Sequence, residues 1–254
     1  MKPSRQQVAL VTGAAKRIGR TIALALAQDG WDIAVHYGNS QAEALLLVDE
    51  IIALGRRAIA LQCELADEAG VRKLVARAEQ IGPLRCVVNN ASIFQHDLAE
   101  NFQAASLDLH MRANVAAPIL LAHALFAATP AGQQSVVINL LDQKLYNPNP
   151  DFLSYTLSKA ALHSATTLLA QALAPRVRVV GVAPGITMVS GDQSSAEFDK
   201  AHGVTPLGKS STPADVAAAV CFVATASAMT GTTLLVDGGQ HLIPLQRDIM
   251  FIAK

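Results

Sequence analysis

The chain has 254 residues, 20 basic and 20 acidic side chains, and a hydrophobic fraction of 51% against 16% charged. Balanced charge and a pI near 7.1 leave no basic footprint for nucleic acid or an anionic membrane, and so much apolar material excludes a disordered chain. Cys63, Cys86 and Cys221 are odd in number and far apart, and the histidines show neither HExxH nor a paired Cys/His spacing, so no disulfide framework and no metal site is expected.

The chain opens on a short polar arm, MKPSRQQ, that runs straight into an apolar strand. It lacks the apolar core of a signal peptide, and no stretch reaches the roughly 18 uninterrupted apolar residues of a membrane span. A soluble, cytoplasmic protein is expected. Short runs rich in Val, Ile and Leu follow at 8–13, 32–37, 57–62, 84–90, 135–141, 176–184 and 232–239. Apolar on both faces, they predict strands of a doubly covered parallel sheet. Helical periodicity fills 17–30, 41–55, 67–82 and 215–227, and Gly30, Gly55 and Gly82 stand just past the last apolar residue of three of these segments, as helix C-caps do. Residues 104–129 and 152–174 predict two extended helices flanking the fifth strand; Pro118 should bend the first or sit where a neighbour takes up the freed carbonyl. Alternation of strand and helix implies right-handed crossovers. The expectation is one α/β domain over 1–254, a Rossmann-type doubly wound parallel sheet with helices on both faces.

The first strand ends in Thr12-Gly13-Ala14-Ala15-Lys16-Arg17-Ile18-Gly19 and passes at once into a helix. Glycines at such a turn let the backbone approach a pyrophosphate, and the helix N-terminus favours the anion. A lone turn of this kind could be ordinary, but its place in the first βαβ unit points to a phosphate cradle. The second strand ends HYGNS. An acid usually meets a free adenosine 2′-hydroxyl here, yet no carboxylate occurs between Ile33 and Ser40. Lys16, Arg17, Asn39 and Ser40 could instead accommodate a 2′-phosphate, so NADPH is expected over NADH; the alternative is that Lys16 and Arg17 are solvated surface charges. Tyr155-Thr-Leu-Ser-Lys159 opens a long helix, and the four-residue spacing puts phenol and ammonium on one face. An adjacent ammonium should lower the phenol pKa, fitting Tyr155 as an acid beside a hydride acceptor with Lys159 tuning it.

Thr12-Gly13…Gly19, Asn89-Asn90-Ala91, Asn114, Tyr155 with Lys159, Pro184-Gly185 and Val236-Asp237-Gly238-Gly239 together resemble the short-chain dehydrogenase/reductase family, in its order and over practically the whole chain. The resemblance implies about seven strands, a bound nicotinamide dinucleotide, and a homotetramer joined through the two long middle helices and the last strand. It implies that Asn114 holds a water in a proton relay with Lys159. Asn89 and Ala91 would line the cofactor, with Gly13, Ile18, Gly19, Asn90, Pro184 and Gly185 around it.

Three departures from the family pattern point one way. The middle glycine of the turn is Arg17; Asp142 stands where a catalytic serine is due after Asn139-Leu140-Leu141; and the NNA turn continues Ser92-Ile93-Phe94. An ionised carboxylate opposes the oxyanion of ketone reduction, whereas reduction of a C=N bond needs a proton at nitrogen. The same features resemble pteridine reductases and the related dihydromonapterin or dihydrofolate reductases. That resemblance implies that Arg17 contacts cofactor phosphate and pterin, Ser92 lies near both, Phe94 stacks the pterin and Asp142 pairs with Tyr155. It also implies cofactor contacts from Tyr37 and Ser40, and adenine contacts from Glu64 and Leu65. Asp142 could instead be a polar strand end without a role, and Phe94 an apolar loop anchor. Residues 186–212 are the expected substrate loop. The leading expectation is an NADPH-dependent reductase of a pterin C=N bond. Reduction of a ketone or 3-oxoacyl substrate, and a non-catalytic NADPH-binding sensor or structural protein, are the rivals.

Overall fold

The structure is a computed structural model that describes residues 6–189 and 194–252. The chain alternates β1 (Val8–Val11), α1 (Arg17–Gln28), β2 (Asp32–Tyr37), α2 (Gln41–Ala53), β3 (Ala58–Gln62), α3 (Glu68–Ala78) and β4 (Leu84–Asn89). Then come α4 (Ala104–Met111), α5 (Ala117–Ala128), β5 (Ser135–Leu140), α6 (Leu153–Leu173) and β6 (Val177–Pro184). It closes with α7 (Ser195–Gly203), α8 (Pro213–Thr225), β7 (Thr233–Val236) and the short α9 (Ile249–Ile252). Every predicted strand is present, and the seven pair in parallel in the order β3-β2-β1-β4-β5-β6-β7. Winding reverses between β1 and β4, and the crevice at the carboxyl ends of those two strands is where such a sheet receives a ligand.

The period-two alternation of a strand divides β1 between two cores. Ala9 and Val11 pack with Ile22 and Leu26 of α1 and Val220 of α8, while Val8 and Leu10 pack with Leu74 of α3 and Leu121 and Leu125 of α5. Each fully buried leucine contributes about 1.5–3 kcal/mol of transfer free energy. Gly30, Gly55 and Gly82 have φ of +101°, +73° and +139°, as the helix-end reading expects. A buried polar ladder crosses this apolar interior. Asn89 donates to Asn139 Oδ1 (2.8 Å), Asn139 to Thr166 Oγ1 (2.9 Å), and Thr166 to the Leu162 carbonyl (2.8 Å).

Two expectations are corrected. The predicted 104–129 helix is continuous but wound as a π-turn over Arg112–Ala116, with Pro118 at the start of α5. Proline has no N–H for the carbonyl four residues earlier, so the ladder widens by one residue there. By length and composition alone this Ala104–Ala128 segment could cross a membrane, although Asp108, Arg112 and Pro118 interrupt its apolar run. Within the fold it is a core helix, with Ala117, Leu121 and Leu125 buried. The expected substrate loop holds helix α7, started by a reciprocal Ser194/Glu197 cap; residues 190–193 of that loop lie outside the described residues.

Candidate active site

The glycine turn is braced from three sides. Gly13 has φ +61°, and a Cβ on Gly19 would collide with the Gly13 carbonyl oxygen, so both positions require glycine. Asn90 Nδ2 donates to the Thr12 and Gly13 carbonyls (2.9 and 3.2 Å), and Thr12 Oγ1 accepts the N–H groups of Asn90 and Ala91 (both 3.0 Å). The third brace was not assigned from the sequence. His36, buried in β2, accepts the Gly13 N–H at Nδ1 (3.0 Å), and its Nε2 lies 3.0 Å from the Cys63 carbonyl. Those partners require Nε2 to carry the hydrogen, and burial pushes the imidazole from 6.5 to about 4, so it is neutral. A histidine inside an apolar strand was the available signal.

Arg17 occupies a glycine position at φ +54°, a left-handed conformation costing a non-glycine residue about 1–2 kcal/mol. Its guanidinium reaches the Val189 carbonyl (2.9 Å) and lines the cavity described below. Lys16 is ion-paired with Glu43 (2.6 Å), an acid the sequence reading had not considered. Tyr37 is half-buried, Asn39 exposed, and Ser40 begins α2 without using its side chain as a cap. Glu64 is exposed and accepts the Ala66 N–H (3.3 Å), while Leu65 packs on the core. These residues follow β2 and β3 and do not line the central cavity, a position suited to the far end of a dinucleotide.

The central cavity, about 340 Å³, lies beyond the ends of β4, β5 and β6 and is bordered by Ile18, Ser92, Phe94, Tyr155, Pro184 and Gly185, among others. Tyr155 donates its phenol hydrogen to Asp142 Oδ2 (2.8 Å), and Asp142 Oδ1 accepts the Lys144 N–H (2.8 Å). Burial raises the Asp142 carboxyl above 3.8, against the pull of those two hydrogen bonds and the Lys159 charge. Tyr155 is pushed well above 10, first by burial and then by the negative charge of Asp142. This overturns the expected tuning. Lys159 does share the helix face, but its Nζ donates to the Leu140 carbonyl (2.6 Å) and stands 5.7 Å from the tyrosine ring centre. Burial brings Lys159 itself down from 10.5 to about 8.

Asn114 sits in the π-turn. Oδ1 accepts the Ile93 N–H (2.8 Å), and Nδ2 donates to the Ile93 carbonyl and Ser158 Oγ (both 3.0 Å). The side chain therefore clamps the Ser92–Phe94 loop to α6. The buried Asn89 amide turns into the sheet toward Asn139. Phe94 stands between the loop and the cavity. It is 41% exposed and borders the cavity, yet it stacks on Phe152 (4.3 Å, 18°) and touches Tyr155 edge-on (4.7 Å, 84°). Phe152 in turn starts α6 at φ +56° and stacks on Phe251 of α9 (6.0 Å, 18°). Gln143, Lys144, Gln240, Asp248 and Ile249 also line the cavity and were missed; no motif marks them, and two come from the C-terminal segment. Among the described residues no group of three or more His, Cys, Asp or Glu side chains could hold a metal ion.

A family model described as enoyl-(acyl carrier protein) reductase matches residues 13–241. The chain belongs to the short-chain dehydrogenase/reductase family. It is an oxidoreductase. Among solved members, FolM alternative dihydrofolate reductase 1 from Brucella canis, complexed with NADP, is 39% identical with a TM-score of 0.90, over 95% of this chain and 96% of that one. A short-chain dehydrogenase from Burkholderia cenocepacia, in complex with NADP, is 35% identical with a TM-score of 0.85, over 94% and 99% of the two chains. The curated 3-oxoacyl-[acyl-carrier-protein] reductase FabG of Staphylococcus aureus is 32% identical, over 92% of this chain and 98% of its own. Within the short-chain dehydrogenase/reductase frame, this chain keeps the tyrosine and lysine and places a carboxyl, not a hydroxyl, against the phenol.

Proposed function

We propose that the protein is an NADPH-dependent reductase of a pterin-ring C=N bond. The observation that carries the reading is the 2.8 Å hydrogen bond from Tyr155 to the buried Asp142 carboxyl. The dinucleotide fits the turn: glycine at 19 lets α1 start hard against the Gly13 carbonyl, and with no side chain capping it the first turn of α1 presents N–H groups to an anion. Gly13, Ile18, Gly19, Asn90, Ala91, Ser92, Lys159, Pro184 and Gly185 would hold it, with Lys16, Tyr37, Asn39 and Ser40 toward a 2′-phosphate and Glu64 and Leu65 toward the adenine. NADPH, when bound, supplies the hydride.

The protein's own residues handle the proton. Burial favours the neutral Asp142 carboxyl, and a protonated Asp142 reverses the hydrogen bond and donates to the phenol oxygen. Tyr155 then passes its hydrogen to the ring nitrogen and takes the Asp142 proton in exchange. A nitrogen–hydrogen bond forms, the phenol is restored, and Asp142 is left as a carboxylate to be reprotonated from water. The high pKa of Tyr155 suits this, because the phenol never accumulates as phenolate. Arg17 and Phe94 border the cavity where the ring would lie.

Steady-state NADPH oxidation with dihydrobiopterin, dihydromonapterin and dihydrofolate tests the proposal, with turnover expected for at least one. Turnover of a 3-oxoacyl thioester and of no pterin would replace it with the reading that the FabG relative favours. We further propose a homotetramer: Leu109 and Ile119 on one long helix and Leu157 and Leu168 on the other are exposed apolar residues that a second copy would cover. Light scattering of the purified protein decides that point.

A further inference from the structure

The C-terminal segment is fastened over the cavity by two sets of contacts. Arg247 Nε lies 2.9 Å from Asp151 Oδ2, and the Asp248 N–H donates to the same oxygen (2.7 Å); Asp151 is fully buried. Lys144, also buried, donates to the Asp151 carbonyl (2.6 Å) and pairs with Asp248 Oδ2 (3.3 Å). On the other side Phe251 stacks on Phe152, and Ile249 packs with Ile186 and Leu245. The outcome is that Asp248 and Ile249 form part of the cavity wall, on the same cavity as Asp142.

That wall is rich in acceptors. Beside Asp142 and Asp248 stands Gln143, 9% exposed, whose Oε1 is buried without a hydrogen-bond partner in the protein. Of the cations on this cavity, Lys144 is committed to Asp151 and Asp248, Lys159 to the Leu140 carbonyl and Arg17 to the Val189 carbonyl. A buried amide oxygen left unpaired is costly, and a ligand N–H is the group that would relieve it.

We propose that Gln143 and Asp248 form a specificity-determining subsite that reads paired N–H donors on a planar ring and rejects a carboxylate or other anion in the same place. This deepens the C=N reading, because an amino-substituted ring is the substrate class it selects. The subsite lies outside the proton-transfer pair, so its effect falls on binding.

Calorimetric titration of the NADP+-loaded protein with benzamidine, benzamide and benzoate, three planar probes of one size, tests it. Benzamidine is expected to bind tightest and benzoate weakest. Asp248→Asn, which keeps an acceptor for Lys144, should weaken benzamidine by about ten-fold or more and narrow its preference over benzoate. Gln143→Leu, which leaves the tail contacts intact, should weaken benzamidine and benzamide alike, with NADP+ affinity unchanged. Equal affinity for the three probes, tighter benzoate, or variants indistinguishable from the parent would overturn the subsite. The readout is binding, so failure to turn over any pterin would sink the reduction reading and leave this result standing on its own.

Discussion

Replacing Asp142 by asparagine removes one charge and one transferable proton while keeping the shape of the site. The amide oxygen of the new side chain can still accept the Lys144 N–H, now 2.8 Å from Asp142 Oδ1, so the strand end should keep its place. What is lost is the proton that the carboxyl relays to Tyr155 across the 2.8 Å contact. Its loss should cost the ~10²–10⁴-fold in rate typical of general acid catalysis. The loss should appear in kcat with a C=N substrate and leave KM near its parent value. Stability should move the other way. The folded state holds the Asp142 proton more tightly than the unfolded one, so this residue's contribution falls as pH rises from 3.8 through the folded value. At neutral pH the asparagine variant is therefore expected to melt no lower than the parent. Steady-state NADPH oxidation at several pH values, paired with a thermal melt, checks both arms. An unchanged kcat, or a lowered melting point with kcat lost in proportion, would refute the reasoning.

Three further outcomes follow from the braces and charges around the site. His36 is neutral in the fold with a pKa near 4 against 6.5 unfolded, so its stabilising contribution is full above 6.5 and is lost as pH falls toward 4. That amounts to about 2 kcal/mol by pH 5, and urea unfolding of His36→Asn should lack this part of the parent's pH dependence. Lys159, at about 8, should give kcat/KM a descending alkaline limb near that pH, read from initial rates; a flat profile up to pH 9.5 would show that the ammonium is not required. Arg17→Gly relieves the φ of +54° and should raise the unfolding free energy by about 1 kcal/mol, while calorimetry finds weaker NADPH binding.

Legibility of the fold came from local signals. Seven apolar runs, glycine helix ends and βα alternation point to one parallel sheet with right-handed crossovers, which is the sheet observed, while its strand order is set by packing that no local signal carries. Tyr155, Asp142 and Arg17 were legible because each breaks or matches a spaced pattern. The direction of the Tyr155 shift was not. Periodicity places Lys159 on the right helix face, but the Leu140 carbonyl, 19 residues earlier, captures its ammonium. The contacts of Asn114 were out of reach in the same way, because the loop its side chain clamps returns from residue 93. Gln143 and Asp248 lay beyond reach altogether: one has no motif, and the other enters the wall through contacts with Asp151, 97 residues away.

The ladder from Asn89 through Asn139 to Thr166 gains little by itself, since amides hydrogen-bond equally well to water. Its weight falls on the misassembled alternatives. Asn89 and Asn139 are register partners in β4 and β5. Sliding one strand by a single residue turns its amide to the opposite face of the sheet, among valines and isoleucines that offer it nothing. Flanked along β4 and β5 by Val87, Val88, Val137 and Ile138, these two amides act as a key. They make near-miss pairings expensive and keep the ends of β4 and β5, where the cavity wall begins, level with each other.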